Sequence, residues 1–312
     1  MIVNMLQIKN PNYSLMTDIV FKIVFSNPLV PEIPLSFLNA VLNRDGDKRI
    51  QELEILNPFT PKELITDKLS VLDLKAKDGL GHIFHIEVQL KHFSFLPKRF
   101  LYYHYKLIAS QLSQGETYSS LKPAVSIYIL GSNHLDEPGF HNVITMMNKD
   151  SGRVYADLSE IHFLELEKLE GNLKSPSTAL EKWMQAFLHS DQYCLDTGSV
   201  PKEMNKEEVI MKALNLIKQA NSDEETKHLI DLRHKSQLDF NSITDEARQE
   251  GWQEGIQVGE QRGADRGRLQ ALETVAFQML SMNLPIDTII TATGLEESQI
   301  EELAQVLNRQ KS

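Results

Sequence analysis

One cysteine, Cys194, stands among 312 residues. A single thiol closes no internal disulfide and builds no cysteine metal site, so Cys194 is expected as a small apolar packing residue and redox chemistry is excluded. Long apolar runs are missing as well: no window approaches the roughly 18 uninterrupted apolar residues of a membrane span. The opening MIVNMLQIKN lacks the basic region and apolar stretch of a secretory signal, so the cytoplasm is the expected location and no membrane partner is expected. Positive charge is scarce, with 32 Lys and Arg against 43 Asp and Glu and a formal net charge of −11. Phosphate binding needs clustered Lys and Arg, so any nucleic-acid site has to be local.

What is present reads as a folded chain, with 41% hydrophobic and 24% charged residues and enough length for one sizeable core plus a second region. Thr17 is placed to cap DIVFKIVF, where Val20, Phe21, Val24 and Phe25 recur at helical spacing. After Pro28, Pro31 and Pro34, LSFLNAVLN predicts a second helix that stops at the turn Arg44-Asp45-Gly46-Asp47. Residues 68–76 and 82–90 are strand-like, and Lys77-Asp78-Gly79-Leu80-Gly81 between them predicts a tight antiparallel hairpin. A helix over 99–115 and a strand over 124–130 follow. Residues 161–166 are expected as an edge strand, 180–188 as a helix, and 198–203 as a boundary beyond which only helices occur. The expected division is an α/β domain over 12–198 and a helical region over 199–312.

Alternation in the strand 82–90 puts Phe84, Ile86, Val88 and Leu90 on one face and His85, Glu87 and Gln89 on the other, with Lys91 next in line. In the partner strand Leu69, Val71, Asp73 and Lys75 share a face, so Asp73 is a carboxylate in an otherwise apolar stretch. Such a carboxylate needs a cation, a hydrogen-bond network or a shifted pKa. Carboxylates from two adjacent strands suit Mg²⁺, which takes one or two of them and completes its shell with water and substrate phosphate. Phosphodiester hydrolysis fits that arrangement. The same residues also read as a solvated strand face, or as ion pairs with Lys75 and Lys91.

The succession TDIVFKIVF, FLNAVL, LSVLDLKAKDGLGHIFHIEVQL and RFLYYHYKLIASQLSQGETYSSLKPAVSIYIL resembles the recombination-promoting nuclease and transposase family of PD-(D/E)xK enzymes, over roughly residues 15 to 190. The resemblance implies a restriction-endonuclease-like α/β core, a mixed sheet flanked by helices, and metal-dependent DNA endonuclease activity with Mg²⁺ as cofactor. By position Asp73 matches the motif aspartate, Glu87 the glutamate of E-x-K, and Gln89 the place of its lysine, where relatives also carry glutamine. A neutral amide can position water but offers no positive charge to a transition state. His85, Lys75 and Lys91 are the candidates to replace that charge. Asp18 resembles the acidic residue that the superfamily's first helix brings to the metal, and it also reads as a first-turn Asp complementing the helix dipole and pairing with Lys22. Gln111 is a candidate accessory residue, while Gln114 and Tyr118 make the Q-x-x-x-Y pattern of some relatives.

Between Lys91 and Lys106 no acidic residue interrupts Lys91, Lys98, Arg99 and Lys106, which interleave with Phe93, Phe95, Phe100, Tyr102, Tyr103 and Tyr105. This is the locally basic stretch beside the site, and Lys98, Arg99 and Lys106 are its expected DNA contacts. Few phosphate contacts imply modest, salt-sensitive binding with little sequence preference. In the C-terminal region Gly251, Gly255, Gly259, Gly263 and Gly267 recur every fourth residue. At about 1 kcal/mol per helical glycine, such a helix is expected to need company, and a homo-oligomer through this region is expected. The closing LPIDTIITATGLEESQIEELAQVL looks like a helix-turn-helix, but Glu296, Glu297, Glu301 and Glu302 on its second helix suit a protein contact rather than DNA.

Overall fold

The computed structural model describes residues 13–57, 73–169, 175–195 and 200–311, and the chain forms two compact units, Met1–Ser236 and Gln237–Ser312. The first is built on a six-stranded mixed sheet of order β1-β2-β3-β4-β6-β5. Its strands are β1 (Leu53–Ile55), β2 (Asp73–Asp78), β3 (Ile83–Gln89), β4 (Ala124–Leu130), β5 (His141–Thr145) and β6 (Ser159–Glu165). β4 runs parallel to both β3 and β6, and the other pairs are antiparallel.

The β2–β3 hairpin forms where the Asp-Gly signal stands. Gly81 takes a φ of 87°, a left-handed value that suits glycine. The Asp78 carboxylate gathers the turn by accepting the Leu80 and His82 N–H groups at 3.0 and 2.8 Å and meeting the His82 ring at 2.7 Å. The predicted strand over 68–76 is seen from Asp73 onward, and residues 68–72 lie outside the described ones.

Helices cover both faces of the sheet. On one, Leu74, Ala76, Phe84, Ile86, Val125, Ile127, Ile129 and Leu164 pack with α1 (Asp18–Phe25), α2 (Glu32–Val41), α4 (Ala179–Tyr193) and α5 (Glu208–Ser222). Phe25 and Phe37 each meet Trp183 and Phe187 with ring centroids 5.5–5.8 Å apart. At about 2 kcal/mol or more per buried ring, this aromatic cluster helps to hold α1, α2 and α4 together. Cys194 lies in the same core, and burial pushes its thiol up to about 12. On the other face, α3 (Leu96–Ala109) lays Leu96 and Phe100 onto Tyr128, Leu130, Ile161 and Phe163.

Three expectations about elements change. The helix predicted over 99–115 starts at Leu96 and ends at Ala109. Pro97 sits in the first turn, where its missing N–H costs nothing, and Gly115 has a φ of 94°. The strand over 161–166 is not an edge, because β5 pairs with its outer side and β6 is buried between β4 and β5. The first compact unit also continues past residues 198–203: Ile210, Ala213, Leu214 and Ile217 of α5 insert into the core of the sheet's first face.

Beyond residue 223 the structure is helical, with α6 (Glu224–Ser281), α7 (Ile286–Thr293) and α8 (Glu297–Lys311). In the second unit Ala276, Ile289, Leu295 and Ile300 form a small core, and Gly294 ends α7 with a φ of 69°. A Cβ at any of the five spaced glycines would meet nothing within 4 Å. Among the described residues no helix is long and apolar enough to cross a membrane.

Candidate active site

The hairpin register makes Asp73 the direct partner of Glu87, and Lys75 that of His85. Residues directly opposite in an antiparallel pair share a face, so Asp73, Lys75, His85, Glu87 and Gln89 hold positions on the face that α3 covers. Simple alternation predicted one core face and one row of polar groups. The structure buries both: Phe84 and Ile86 are fully buried, and His85 and Glu87 are each only 3% exposed. The cause is α3, which folds back after β3 and roofs the polar face.

Glu87 is therefore a carboxylate in a low-dielectric setting, where an uncompensated charge is costly. Its partner comes from the first turn of α3, where Arg99 Nη2 donates to Glu87 Oε1 at 2.6 Å. The same guanidinium donates from Nη1 to Gln89 Oε1 at 3.3 Å, and Gln89 Nε2 donates to the Lys91 carbonyl at 2.9 Å. The Tyr103 ring, one turn along, lies 5.9 Å from the guanidinium carbon. Sequence reasoning placed Arg99 among the DNA contacts and missed this role. A partial signal was there: Arg99 stands in the first turn of the next element, in a stretch free of acids.

The other candidates are placed as follows. His85 is buried edge-on to Tyr128 at 5.8 Å. Lys75 is exposed, with its backbone N–H on Asn57 Oδ1 at 2.6 Å. Lys91 is half-buried at the end of β3. Gln111 is engaged elsewhere: its amide donates to the Lys122 carbonyl and accepts the Lys122 N–H, both at 2.9 Å, tying the end of α3 to the segment entering β4. Asp18 lies in the first turn of α1, which packs on the Phe84–Ile86 face, opposite to Glu87, and its Oδ1 accepts the Ile19 N–H at 2.7 Å. Lys98 and Lys106 are exposed on α3. Lys106 lies over the Tyr102 ring at 5.9 Å. Phe100 is buried, whereas Phe95, Tyr102 and Tyr105 are 52%, 62% and 47% exposed, so the aromatic stretch divides into a core side and an outward side.

Two polar networks stiffen the sheet around these residues. His104, fully buried, meets Ser126 Oγ through Nδ1 at 2.7 Å and Ser159 Oγ through Nε2 at 2.8 Å. Burial, with a smaller push from His85, lowers its pKa to about 4, so the ring is neutral at pH 7. At the end of β6, fully buried Glu165 accepts from the His134 and Leu135 N–H groups, Asn142 Nδ2 and Lys168 Nζ. It thereby anchors the loop after β4. The register carries Gln89 to Leu130 and Leu130 to Glu165, so this anchored loop stands at the same sheet end as Gln89.

Among the described residues no three or more His, Cys, Asp and Glu side chains are grouped to hold a metal. A hard divalent cation needs fewer, since Mg²⁺ keeps several waters and uses one or two carboxylates. The directly paired register positions Asp73 and Glu87 are occupied by the residue types, aspartate and glutamate, that such an ion takes. A family model described as PD-(D/E)XK nuclease family transposase matches residues 15–247. The chain belongs to that family. The PD-(D/E)XK match takes in all six strands and α1 to α5, and the mixed sheet flanked by helices is the fold that the resemblance implied. Nucleases of this family usually act with divalent metals and on DNA. No curated protein and no solved structure matches the chain.

Proposed function

We propose that this protein is a Mg²⁺-dependent DNA endonuclease that hydrolyses phosphodiester bonds with little sequence preference. The observation that carries the reading is the pairing of Asp73 with Glu87 in the hairpin register, on a face where Glu87 is buried and met by Arg99. Asp73 and Glu87 are the residues that would hold the metal; Asp18, on the helix that packs against the opposite face, is left out of the proposed ligand set. The bound ion would polarise the phosphate and lower the pKa of a water. Gln89 orients Arg99 through its side-chain oxygen and is itself held by the Lys91 carbonyl. Lys98 and Lys106, on the outward side of α3, are the residues to meet the DNA backbone. With so few cations, binding is salt-sensitive and reads little sequence.

The C-terminal region is proposed as a self-association element. Trp252 and Ile256, one turn apart on α6, are 67% and 48% exposed, apolar surface that a second copy would cover. A cytoplasmic protein acting in recombination, mobile-element maintenance or defence is consistent with this activity. A second reading, a nuclease fold retained as a DNA-binding or interaction module without catalysis, is favoured by the closed Glu87–Arg99 ion pair. Incubation of plasmid DNA with the purified protein, with Mg²⁺ and with chelator, beside Asp73→Ala and Glu87→Ala, decides between them. Cleavage by wild type alone, and only with Mg²⁺, supports the nuclease. Equal nicking by all three proteins removes these residues from the mechanism.

A further inference from the structure

We infer that Arg99 supplies the positive charge that Gln89 lacks: its guanidinium neutralises Glu87 until a divalent cation is held there, and then turns to the oxygens of the scissile phosphate. This rests on the nuclease reading above. The geometry supports it in three ways. Arg99 touches both the glutamate and the residue in the lysine position, at 2.6 and 3.3 Å. Its side chain is 29% exposed while that of Glu87 is 4% exposed, so of the two partners Arg99 is the one that reaches solvent. Two contacts leave further N–H groups of its five-donor fork for other acceptors, and a guanidinium matches phosphate oxygens in a bidentate manner.

Two of the other candidates for this charge, His85 and Lys75, are less well placed. His85 is buried against Tyr128, and Lys75 is the register partner of His85 rather than of Glu87. The step is a change of partner for the guanidinium, and no proton moves. A guanidinium and a divalent cation attract the same Glu87 oxygens and repel each other, so binding of one releases the other. The backbone at Arg99 need not shift for this, because Leu96 and Phe100 on either side are held in the core of the α3 face.

This competition gives a readout separate from cleavage. Mn²⁺ binding to the full-length protein would be measured by calorimetry at pH 8, alongside plasmid cleavage, for wild type, Arg99→Met, Arg99→Lys and the double variant Gln89→Lys/Arg99→Met. The expected result for Arg99→Met is Mn²⁺ binding several-fold tighter, because a competing cation is gone, together with cleavage slower by about 10²–10³, the loss seen when one transition-state donor is removed. Gln89→Lys in that background should recover cleavage by about tenfold or more, by returning a charge to the motif position. Arg99→Lys keeps the charge without the fork and should bind Mn²⁺ close to wild type, which guards against loss of the fold as the explanation. Mn²⁺ affinity that is unchanged or falls with cleavage in Arg99→Met makes Arg99 only a structural partner of Glu87 and overturns the inference, as does undiminished cleavage. A wild-type protein that binds Mn²⁺ and cleaves nothing overturns the nuclease reading instead, and the phosphate role with it.

Discussion

Replacing His104 by glutamine should remove a defined share of the protein's sensitivity to acid. In the folded chain His104 bridges Ser126 and Ser159 as a neutral ring, and burial lowers its pKa from an ordinary 6.5 to about 4. Below pH 6.5 the unfolded chain takes up a proton that the folded chain refuses, so this contribution to stability is complete above pH 6.5 and is lost as pH falls toward 4. At 1.36 kcal/mol per tenfold step the full loss is about 3 kcal/mol, of which about 2 kcal/mol is gone by pH 5. Glutamine can bridge the same hydroxyls but does not titrate. At pH 7.5 the variant should be less stable by about 1 kcal/mol, the scale of an imperfectly replaced hydrogen bond, and at pH 5 it should equal or exceed wild type. Urea unfolding followed by Trp183 fluorescence in a Trp252→Phe background reports the unit that holds the sheet. His141, also lowered to about 4 by burial, titrates in both proteins and cancels from the comparison. A stability difference between variant and wild type that is the same at pH 7.5 and pH 5 would refute the reasoning.

Other substitutions separate support from chemistry. Glu165→Ala strips four donors, Lys168 among them, of their buried acceptor; it should cost about 3–5 kcal/mol in thermal unfolding, and a loss below 1 kcal/mol contradicts the anchoring role. Gln111→Ala should destabilise by about 1–2 kcal/mol through the lost Lys122 clamp, while cleavage per folded molecule stays at the wild-type rate; a drop in that rate would return Gln111 to the site. Gly259→Ala should stabilise α6 by about 1 kcal/mol, since a Cβ there meets nothing; if sedimentation instead shows a loss of self-association, the glycine is needed against a second copy. Lys98→Ala and Lys106→Ala should each weaken DNA binding for all sequences alike and reduce the salt slope by about one, and an unchanged slope removes them from the interface.

How far the sequence could be read depends on the range of the interaction that decides each feature. The β2–β3 hairpin was legible because its signals are local: an Asp-Gly turn whose carboxylate gathers the turn N–H groups, and period-two alternation through β3. The register that pairs Asp73 with Glu87 follows from the same turn. The position of β6 was not legible, because a buried strand and an edge strand differ in what lies beside them, and the neighbour β5 is a short, half-exposed segment with little pattern of its own. The burial of His85 and Glu87 depends on where α3 lands, a tertiary fact that alternation cannot hold. Arg99 escaped for the same reason. Its basic neighbourhood was visible and was read as an outward patch, but the ion pair joins the end of β3 to the first turn of α3 across a reversal of the chain. The need for a counter-charge was read at Asp73, whereas the buried carboxylate that Arg99 meets is Glu87.

The most direct test of the account is the initial rate of plasmid nicking against Mg²⁺ concentration for wild type, Asp73→Asn and Glu87→Gln, substitutions that keep size and hydrogen-bonding capacity while removing the charge that would hold the ion. The account predicts a saturable Mg²⁺ dependence in wild type and rates reduced by about 10² or more in both variants. Wild-type rates in either variant at saturating Mg²⁺, or nicking that persists unchanged in chelator, would contradict a metal-dependent site built on Asp73 and Glu87.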